Sequence, residues 1–364
     1  MKIMMIANDT DFVYNLRREI LYKFKELGHE VYVVSQVLDF VDEYKKHGIE
    51  LINVETERRG TNPLSDIGLF RHYKNVLNKV RPDIVFTNNT KPNIYAGAAC
   101  KQLRIRYVAN ITGLGTAVEI PGKLQKLTTK MYKYGVSGAQ TLFFQNEENI
   151  NFFKKNKMIG KNSKTVLLPG SGVNLESHPY MEYPDSEDIQ FLYIARVMKE
   201  KGIDILLEVA KRIRKERNDV SFHIVGKCDD EKYKNILREY EDSGIVKYHG
   251  LQKDVIPFYQ KCACFLYPSY YPEGMSNVVL EACACGRPVI VADRAGCREP
   301  VDNGRSGFIV KVNDIEETFS CVNKFLDLSY EEKKIMGMAA RVKVEQTFDR
   351  QLIVEFYMKE IERG

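Results

Sequence analysis

Two carboxylates, Glu273 and Glu281, stand with seven residues between them, where an apolar strand ending at Pro268 gives way to a loop and then a helix. The helix is expected from about Ser276 to Gly286, with Ser276 or Asn277 as its cap and Gly286-Arg287-Pro288 closing it. The amides of Gly274, Met275, Ser276 and Asn277 would then line an anion site backed by the helix dipole. Glu281, within two turns of the helix start, can reach back toward the same ligand. A carboxylate that accepts two adjacent hydroxyls is a common holder of ribose. Glu273, in the loop, is placed to hold sugar hydroxyls.

A second group precedes it. Arg196 ends a strand and Lys201 opens the next helix, and two cations at a strand's carboxyl end suit a diphosphate whose charge grows as it leaves. Lys199 is expected to be a solvated neighbour. Gly226 ends the strand Phe222-His223-Ile224-Val225, where a missing Cβ lets the chain approach a ligand closely. His223 and His249, in or at the end of strands, are expected to be structural.

The elements that must position these residues alternate strand and helix along the chain, which implies right-handed βαβ units and parallel sheets covered on both faces. In the first half the expected strands are 2–7, 31–36, 51–54, 83–88, 107–111, 141–145 and 165–168. In the second half they are 189–195, 220–225, 246–248, 264–267, 288–292 and 307–310. The alternation breaks once, at Pro169-Gly170-Ser171-Gly172, and a polar stretch then runs to about residue 188. The expected division is an N-terminal domain over 1–172, a C-terminal domain over 173–345 and a closing helix over 346–364. Two doubly wound sheets present two sets of strand carboxyl ends, and a cleft between domains is the natural ligand site.

The chain has 364 residues, 44% hydrophobic and 28% charged, the balance of a globular protein. No apolar run reaches the roughly 20 residues a membrane helix needs. The opening MKIMMIAND meets Asn8 and Asp9 too early for a signal peptide, so a cytoplasmic location is expected. The eight cysteines include C-x-C pairs at 262/264 and 283/285 in apolar segments, which read as small buried hydrophobes. The net charge of +5 is uneven: residues 1–172 hold 26 Lys and Arg against 16 Asp and Glu. A basic first half implies an anionic partner.

The strings EGMSNVVLEACACGRPVI and GCREPVDNGRSGFIV resemble the retaining glycosyltransferases of family 4, in the branch that assembles capsule, O-antigen and other glycans. That family has the GT-B fold, an α/β architecture of two doubly wound Rossmann-like domains facing a central cleft. The resemblance spans nearly the whole chain and is strongest over residues 189–310. It implies sugar contacts for Glu273, ribose contacts for Glu281 and diphosphate contacts for Arg196 and Lys201, with Arg196, Lys201 and Glu273 as the catalytic set. His249-Gly250 and the segment from Gln252 to Val255 look like the region that touches the base. The resemblance also implies that the last helix crosses back to the first domain.

The implied reaction moves a hexose or N-acetylhexosamine-type sugar from a nucleotide-diphosphate donor, a UDP-sugar above all, to a glycan acceptor linked to a lipid diphosphate. Transfer with retention would run on the donor's front face, the leaving diphosphate taking the acceptor's proton. The nucleotide sugar is a substrate. No cofactor and no metal are expected, although Asp9-x-Asp11 spells the D-x-D of metal-dependent glycosyltransferases with a different fold. On the acceptor side the expected contacts are Asn8, Asp9, Arg17, Asn88, Asn89, Thr112 and Gly113. Thr112 stands in the string NITGLG (110–115), where many relatives place a histidine, and the loop after strand one lacks their glycine pair.

Lys123, Lys126, Lys130 and Lys133 share one face of an expected helix, with Leu124, Leu127 and Met131 on another; such a helix can lie on an anionic membrane. The alternatives are a nucleotide-sugar epimerase of the same general fold and a nucleotide-sugar-binding protein without catalysis. No G-x-G-x-x-G supports a dehydrogenase and no stacking-aromatic motif supports nucleic-acid binding.

Overall fold

The computed structural model describes residues 1–55, 63–114, 118 and 122–363, without the side chains of 63–65, 123 and 124. Gly115 and Pro121, and the side chains of Lys123 and Leu124, therefore lie outside the described residues.

In chain order the elements of the first half are β1 (Lys2–Asp9), α1 (Thr10–Glu26), β2 (Glu30–Gln36), α2 (Val41–Lys46), β3 (Glu50–Asn53), α3 (Pro63–Val80) and β4 (Ile84–Asn88). Then come α4 (Thr90–Leu103), β5 (Tyr107–Ile111), α5 (Lys123–Val136), β6 (Thr141–Phe144), α6 (Glu147–Lys155) and β7 (Lys164–Leu167). The second half holds β8 (Ile189–Ile194), α7 (Ile203–Glu216), β9 (Val220–Val225), α8 (Glu231–Asp242), β10 (Lys247–Tyr248), α9 (Ile256–Lys261) and β11 (Cys264–Tyr267). It continues with α10 (Asn277–Ala284), β12 (Val289–Ala292), β13 (Gly307–Val310), α11 (Ile315–Leu326), α12 (Tyr330–Thr347) and α13 (Arg350–Glu362).

Two compact units result. The first comprises Met1–Gly172, Pro272–Met275 and Arg350–Gly364, and the second comprises Val173–Tyr271 and Ser276–Asp349. Each is built on a sheet whose strands pair in parallel. The first sheet runs β3-β2-β1-β4-β5-β6-β7 and the second β10-β9-β8-β11-β12-β13. In both, the chain winds outward one way from an inner strand and then returns to wind the other way. The strand order therefore reverses between β1 and β4 in the first sheet and between β8 and β11 in the second. At such a point the connecting segments diverge and leave room for a ligand beyond the carboxyl ends of the strands.

The strands read as near-continuous buried runs because helices cover both faces: β4 and β5 are buried at every position, as are β11 and β12. In the first unit one face packs α1 against the sheet through Val13, Ile20 and Phe24, and α13 completes that layer with Ile353, Val354, Tyr357 and Ile361. Tyr357 lies between the rings of Phe86 and Phe143, and its hydroxyl accepts from Asn110 Nδ2 at 2.9 Å. Arg350, at the start of α13, is buried and donates to Gly172 O (2.9 Å) and Asn15 O (2.7 Å), with Glu19 at 3.2 Å as its counter-charge.

Two boundaries differ from expectation. β1 runs through Asn8 and Asp9, because after a register shift Asp9 still pairs with Gln36 of β2. The closing helix is interrupted: α12 ends at Thr347 with Phe348 as its cap, Phe348 O accepts from Val173 N–H at 2.9 Å, and α13 starts afresh at Arg350. The second unit thus runs through Asp349 rather than 345.

All eight cysteines are free, seven of them buried. Burial pushes the thiols of Cys262, Cys283 and Cys285 up to about 12, which suits inert packing groups.

Candidate functional site

In the second unit, Arg196 and Lys201 follow β8, and Pro268 to Tyr271 follow β11, so both groups stand at the β8/β11 reversal. Arg196 is exposed. Lys201 closes a 3-10 turn over Lys199–Lys201 and is half-buried. Its ammonium donates to Tyr267 Oη at 2.9 Å and lies 4.8 Å from the ring centroid of Tyr271. The turn is held from both sides: Tyr193 Oη donates to Lys201 O at 3.1 Å, and Tyr270 N–H donates to Glu200 O at 3.0 Å. An ammonium steadied by two aromatic rings and one hydroxyl loses little freedom when an anion arrives.

The helix after the loop begins at Asn277 with Ser276 as its N-cap residue, and neither Ser276 Oγ nor Asn277 Oδ1, both buried, has a hydrogen-bond partner. The expected row of open amides is only partly there. Ser276 N–H donates to Gly296 O at 2.7 Å, within the second unit. Gly274 N–H donates to Thr112 O at 3.1 Å, within the first. Met275 is buried. Backbone needs its partners in a packed loop, and here the protein supplies two of them itself.

Glu281 lies on α10, and Tyr259 Oη of α9 donates to its Oε2 at 3.0 Å. His178 Nε2 stands 4.0 Å from the same oxygen, so both neighbours sit on one side of the carboxylate. His178 Nδ1 faces the carbonyl of Asn174 at 3.2 Å, which makes it the donor there. Burial, with the Glu281 charge beside it, raises the Tyr259 phenol well above its ordinary value, so it stays a donor.

At Gly226 the fold itself requires the missing side chain. With φ at +143°, a Cβ there would stand 1.8 Å from Ala195 O, so the missing side chain lets β9's exit cross β8's exit. Val255 is the N-cap residue of α9 and is half-buried, and Gln252 Nε2 donates to His249 O at 2.6 Å.

In the first unit the corresponding reversal joins Asn8, Asn89 and Thr112. Asn89 Oδ1 accepts from Asn8 N–H at 3.2 Å and Asn89 Nδ2 donates to Thr112 Oγ1 at 3.3 Å. Thr112 and Asn146 hold the segment that carries Glu273: Asn146 Nδ2 donates to Glu273 O at 3.1 Å and to Gly274 O at 2.7 Å. A Cβ on Gly274 would stand 2.2 Å from Gln145 Oε1, and Gly113, at φ +139°, approaches the same segment.

Three of the expected acceptor residues are not open. Asp9 is fully buried and caps α1, accepting from Phe12 N–H at 2.8 Å; Asp11 Oδ1 accepts from Asp39 N–H at 3.2 Å. Arg17 is fully buried; it donates to Leu16 O (2.6 Å) and Asn88 Oδ1 (3.3 Å). Asn88 is buried and its Oδ1 is shared with Asn110 Nδ2 at 3.2 Å. Hydrogen bonds inside the sheet's carboxyl edge take up part of their polarity, as buried polar atoms require, but Arg17 Nη2 and Asn88 Nδ2, both buried, have no hydrogen-bond partner among the described residues.

On α5, Lys126, Lys130 and Lys133 are exposed. Leu127 is 56% exposed and Tyr134 is 48% exposed, so Leu127 joins the lysine face instead of packing inward.

Sequence reasoning missed His178, Tyr259, Tyr267, Tyr271, Gln145 and Asn146. Asn146 follows the carboxyl end of β6, a position that could have flagged it. The others become partners only through tertiary contact.

Residues 182–343 match the family described as "Glycosyl transferases group 1", and residues 2–146 match "Glycosyl transferase 4-like". The chain belongs to the family 4 type of glycosyltransferases, with two Rossmann-like α/β domains. It is 26% identical to an N,N'-diacetylbacillosaminyl-diphospho-undecaprenol alpha-1,3-N-acetylgalactosaminyltransferase of Campylobacter jejuni subsp. jejuni serotype O:2, over 100% of this chain and 99% of that one. It is 25% identical to the capsular polysaccharide biosynthesis glycosyltransferase CapM of Staphylococcus aureus, over 85% of this chain and 86% of that one. The structure of Anabaena HepE in complex with UDP superposes with a TM-score of 0.77 at 15% identity, covering 100% of both chains, and shares the GT-B fold.

Proposed function

We propose that this protein is a retaining, metal-independent glycosyltransferase that moves a hexose or N-acetylhexosamine-type sugar from a UDP-sugar to a glycan carried on a lipid diphosphate. The reading rests on one observation above the rest: an exposed Arg196 and a ring-steadied Lys201 at the β8/β11 reversal. Two cations there can neutralise a diphosphate as the sugar–oxygen bond breaks. Glu281, engaged on one oxygen by Tyr259, keeps its other oxygen for ribose hydroxyls. Glu273 contacts the transferred sugar. Asn8, Asn89, Thr112 and Gly113 form the acceptor side. Two relatives support the acceptor class by name, one acting on an undecaprenol diphosphate and one in capsule synthesis.

Calorimetric titration with UDP-sugars, then GDP-sugars, followed by nucleotide release in EDTA with and without a lipid-diphosphate glycan, tests this. Micromolar donor binding, weakened at least tenfold in Arg196→Ala and Glu281→Ala, with acceptor-dependent release, is expected. Absence of any nucleotide-sugar binding would overturn the reading.

The face formed by Lys126, Lys130, Lys133, Leu127 and Tyr134 supports peripheral contact with an anionic membrane. At about 1 kcal/mol per cation near the surface, replacing the lysines by Gln should abolish sedimentation with anionic vesicles. Unchanged sedimentation would remove the membrane from the proposal. Among the described residues no helix is long and apolar enough to cross a bilayer.

A further inference from the structure

A cavity of about 290 Å³ opens in the second unit between α9 and the sheet face formed by β8, β9 and β10. Gln190 and Leu192 of β8, His223 of β9, Lys247 and His249 of β10 and its exit, and Phe258 and Lys261 of α9 line it. Gln190 and Leu192 lie in the first half of β8 and Lys261 at the end of α9, whereas His223 lies in the second half of β9, His249 just beyond β10 and Phe258 midway along α9. Arg196 and Lys201 follow the carboxyl end of β8 and are not among the residues that line the cavity.

Its polar side is an ordered relay. Ser221 Oγ donates to Asp188 Oδ2 at 2.8 Å, beside Gln190 Nε2 at 3.1 Å on the same oxygen. With its proton so placed, Ser221 Oγ accepts from His223 Nε2–H at 3.2 Å. Neutral His223 then offers Nδ1 as an acceptor, and His249 Nε2–H donates to it at 3.0 Å. His249 is left with Nδ1 as an acceptor. The two rings lie nearly parallel, and Phe258 meets His249 edge-on at 4.9 Å. Burial, the neighbouring imidazole and Lys247 hold His223 down to about 4, against a smaller upward pull from Asp188, so the relay stays uncharged at neutral pH.

The cavity thus combines flat aromatic and imidazole walls with two exposed ammonium groups, Lys247 and Lys261. Two carboxylates lie near it: Asp188 is engaged by Ser221 and Gln190 behind the relay, and Glu241 Oε1 accepts from Tyr248 N–H at 3.1 Å, between Lys247 and His249. At roughly 30 Å³ per water-sized group, the space holds about ten heavy atoms. We propose that this cavity is a second ligand site that takes a small planar aromatic carboxylate, its ring against Phe258 and His249 and its charge facing Lys247 and Lys261.

The proposal does not depend on the donor reading. Benzoate is the probe, with benzyl alcohol as its neutral counterpart, followed by titration of the histidine ring signals in NMR of the full chain. The signals of His223 and His249 are assigned with His223→Gln and His249→Gln. Saturable benzoate binding that moves these two signals, at least tenfold weaker in Lys247→Gln/Lys261→Gln, is expected, with benzyl alcohol weak throughout. Both lysines are exposed, so the double variant should fold normally, which its unfolding midpoint checks. Equal binding of benzyl alcohol, unchanged affinity in the folded lysine variant, or no saturable shift up to millimolar benzoate would each overturn the proposal.

Discussion

Arg196 and Lys201 carry the same charge on the same side of β8, yet they are held differently. Arg196 stands exposed, while Lys201 is fastened by Tyr267 and Tyr271. Replacing Arg196 with Ala should lower kcat/KM on the order of 10²–10³-fold, the scale of removing one charge-stabilising donor, and leave the unfolding midpoint in place. Lys201→Ala should lose similar activity and also some stability, since it empties an aromatic pair. A change in nucleotide release of less than threefold in both would end the diphosphate role. His223 makes a different kind of prediction. Its folded value is near 4 against an ordinary 6.5, so the unfolded chain binds the proton more readily. Stability should be intact above pH 6.5, fall as pH drops from 6.5 toward 4, and level off below. Partial exposure limits the effect to about 1–2 kcal/mol. Urea midpoints of the protein and of His223→Gln across this range should converge toward pH 4; parallel lines would show that His223 does not titrate as described.

At the scale of elements, the exits of neighbouring strands are packed tightly enough that single atoms matter. Gly226 lets β9's exit pass Ala195 O, and its N–H donates to Gly250 O at 2.8 Å. Gly226→Ala should destabilise the second unit by about 2–4 kcal/mol, from strain at positive φ together with the overlap, read as a drop in urea midpoint with unchanged slope. A loss under 0.5 kcal/mol would mean the crossing relaxes freely. The alternation of strands and helices was legible in the chain, because buried parallel strands must be apolar throughout and their helices must be amphipathic. The thirteen expected strands each have a counterpart within two residues at either end. Which polar residues stay open was not legible. Asp9, Arg17 and Asn88 sit where ligand contacts are expected, but all three are buried: Asp9 caps α1, and Arg17 and Asn88 bond to each other while Arg17 Nη2 and Asn88 Nδ2 stay without a partner among the described residues.

For the whole molecule, the first unit is assembled from three pieces of chain, and α13 is one of its layers. Burying Ile353, Val354, Tyr357 and Ile361 contributes roughly 1.5–3 kcal/mol each, comparable together to the 5–15 kcal/mol that separates folded from unfolded domains. Residues 1–172 alone should therefore fail to unfold cooperatively. A Cβ on Gly172 would lie 2.6 Å from Arg350 Cα, so a short linker from 172 to 350 should restore a cooperative transition in circular dichroism. Cooperative folding of 1–172 without that helix would show the layer to be dispensable.

By itself the sequence determined the two parallel sheets and set Arg196 and Lys201 beside the end of β8, because periodicity, glycine and proline placement and charge at strand ends act over a few residues; the family followed from the resemblance of two motif strings. Only the tertiary structure decided that Pro272–Met275 belongs with the first unit, that Asn146 holds the backbone of Glu273, that Tyr259 claims one oxygen of Glu281, and that His223 and His249 share a hydrogen bond beside a cavity. These pairings join residues from 22 to 127 positions apart. Hydrogen bonding and desolvation depend on distance in space, and local pattern carries no record of it.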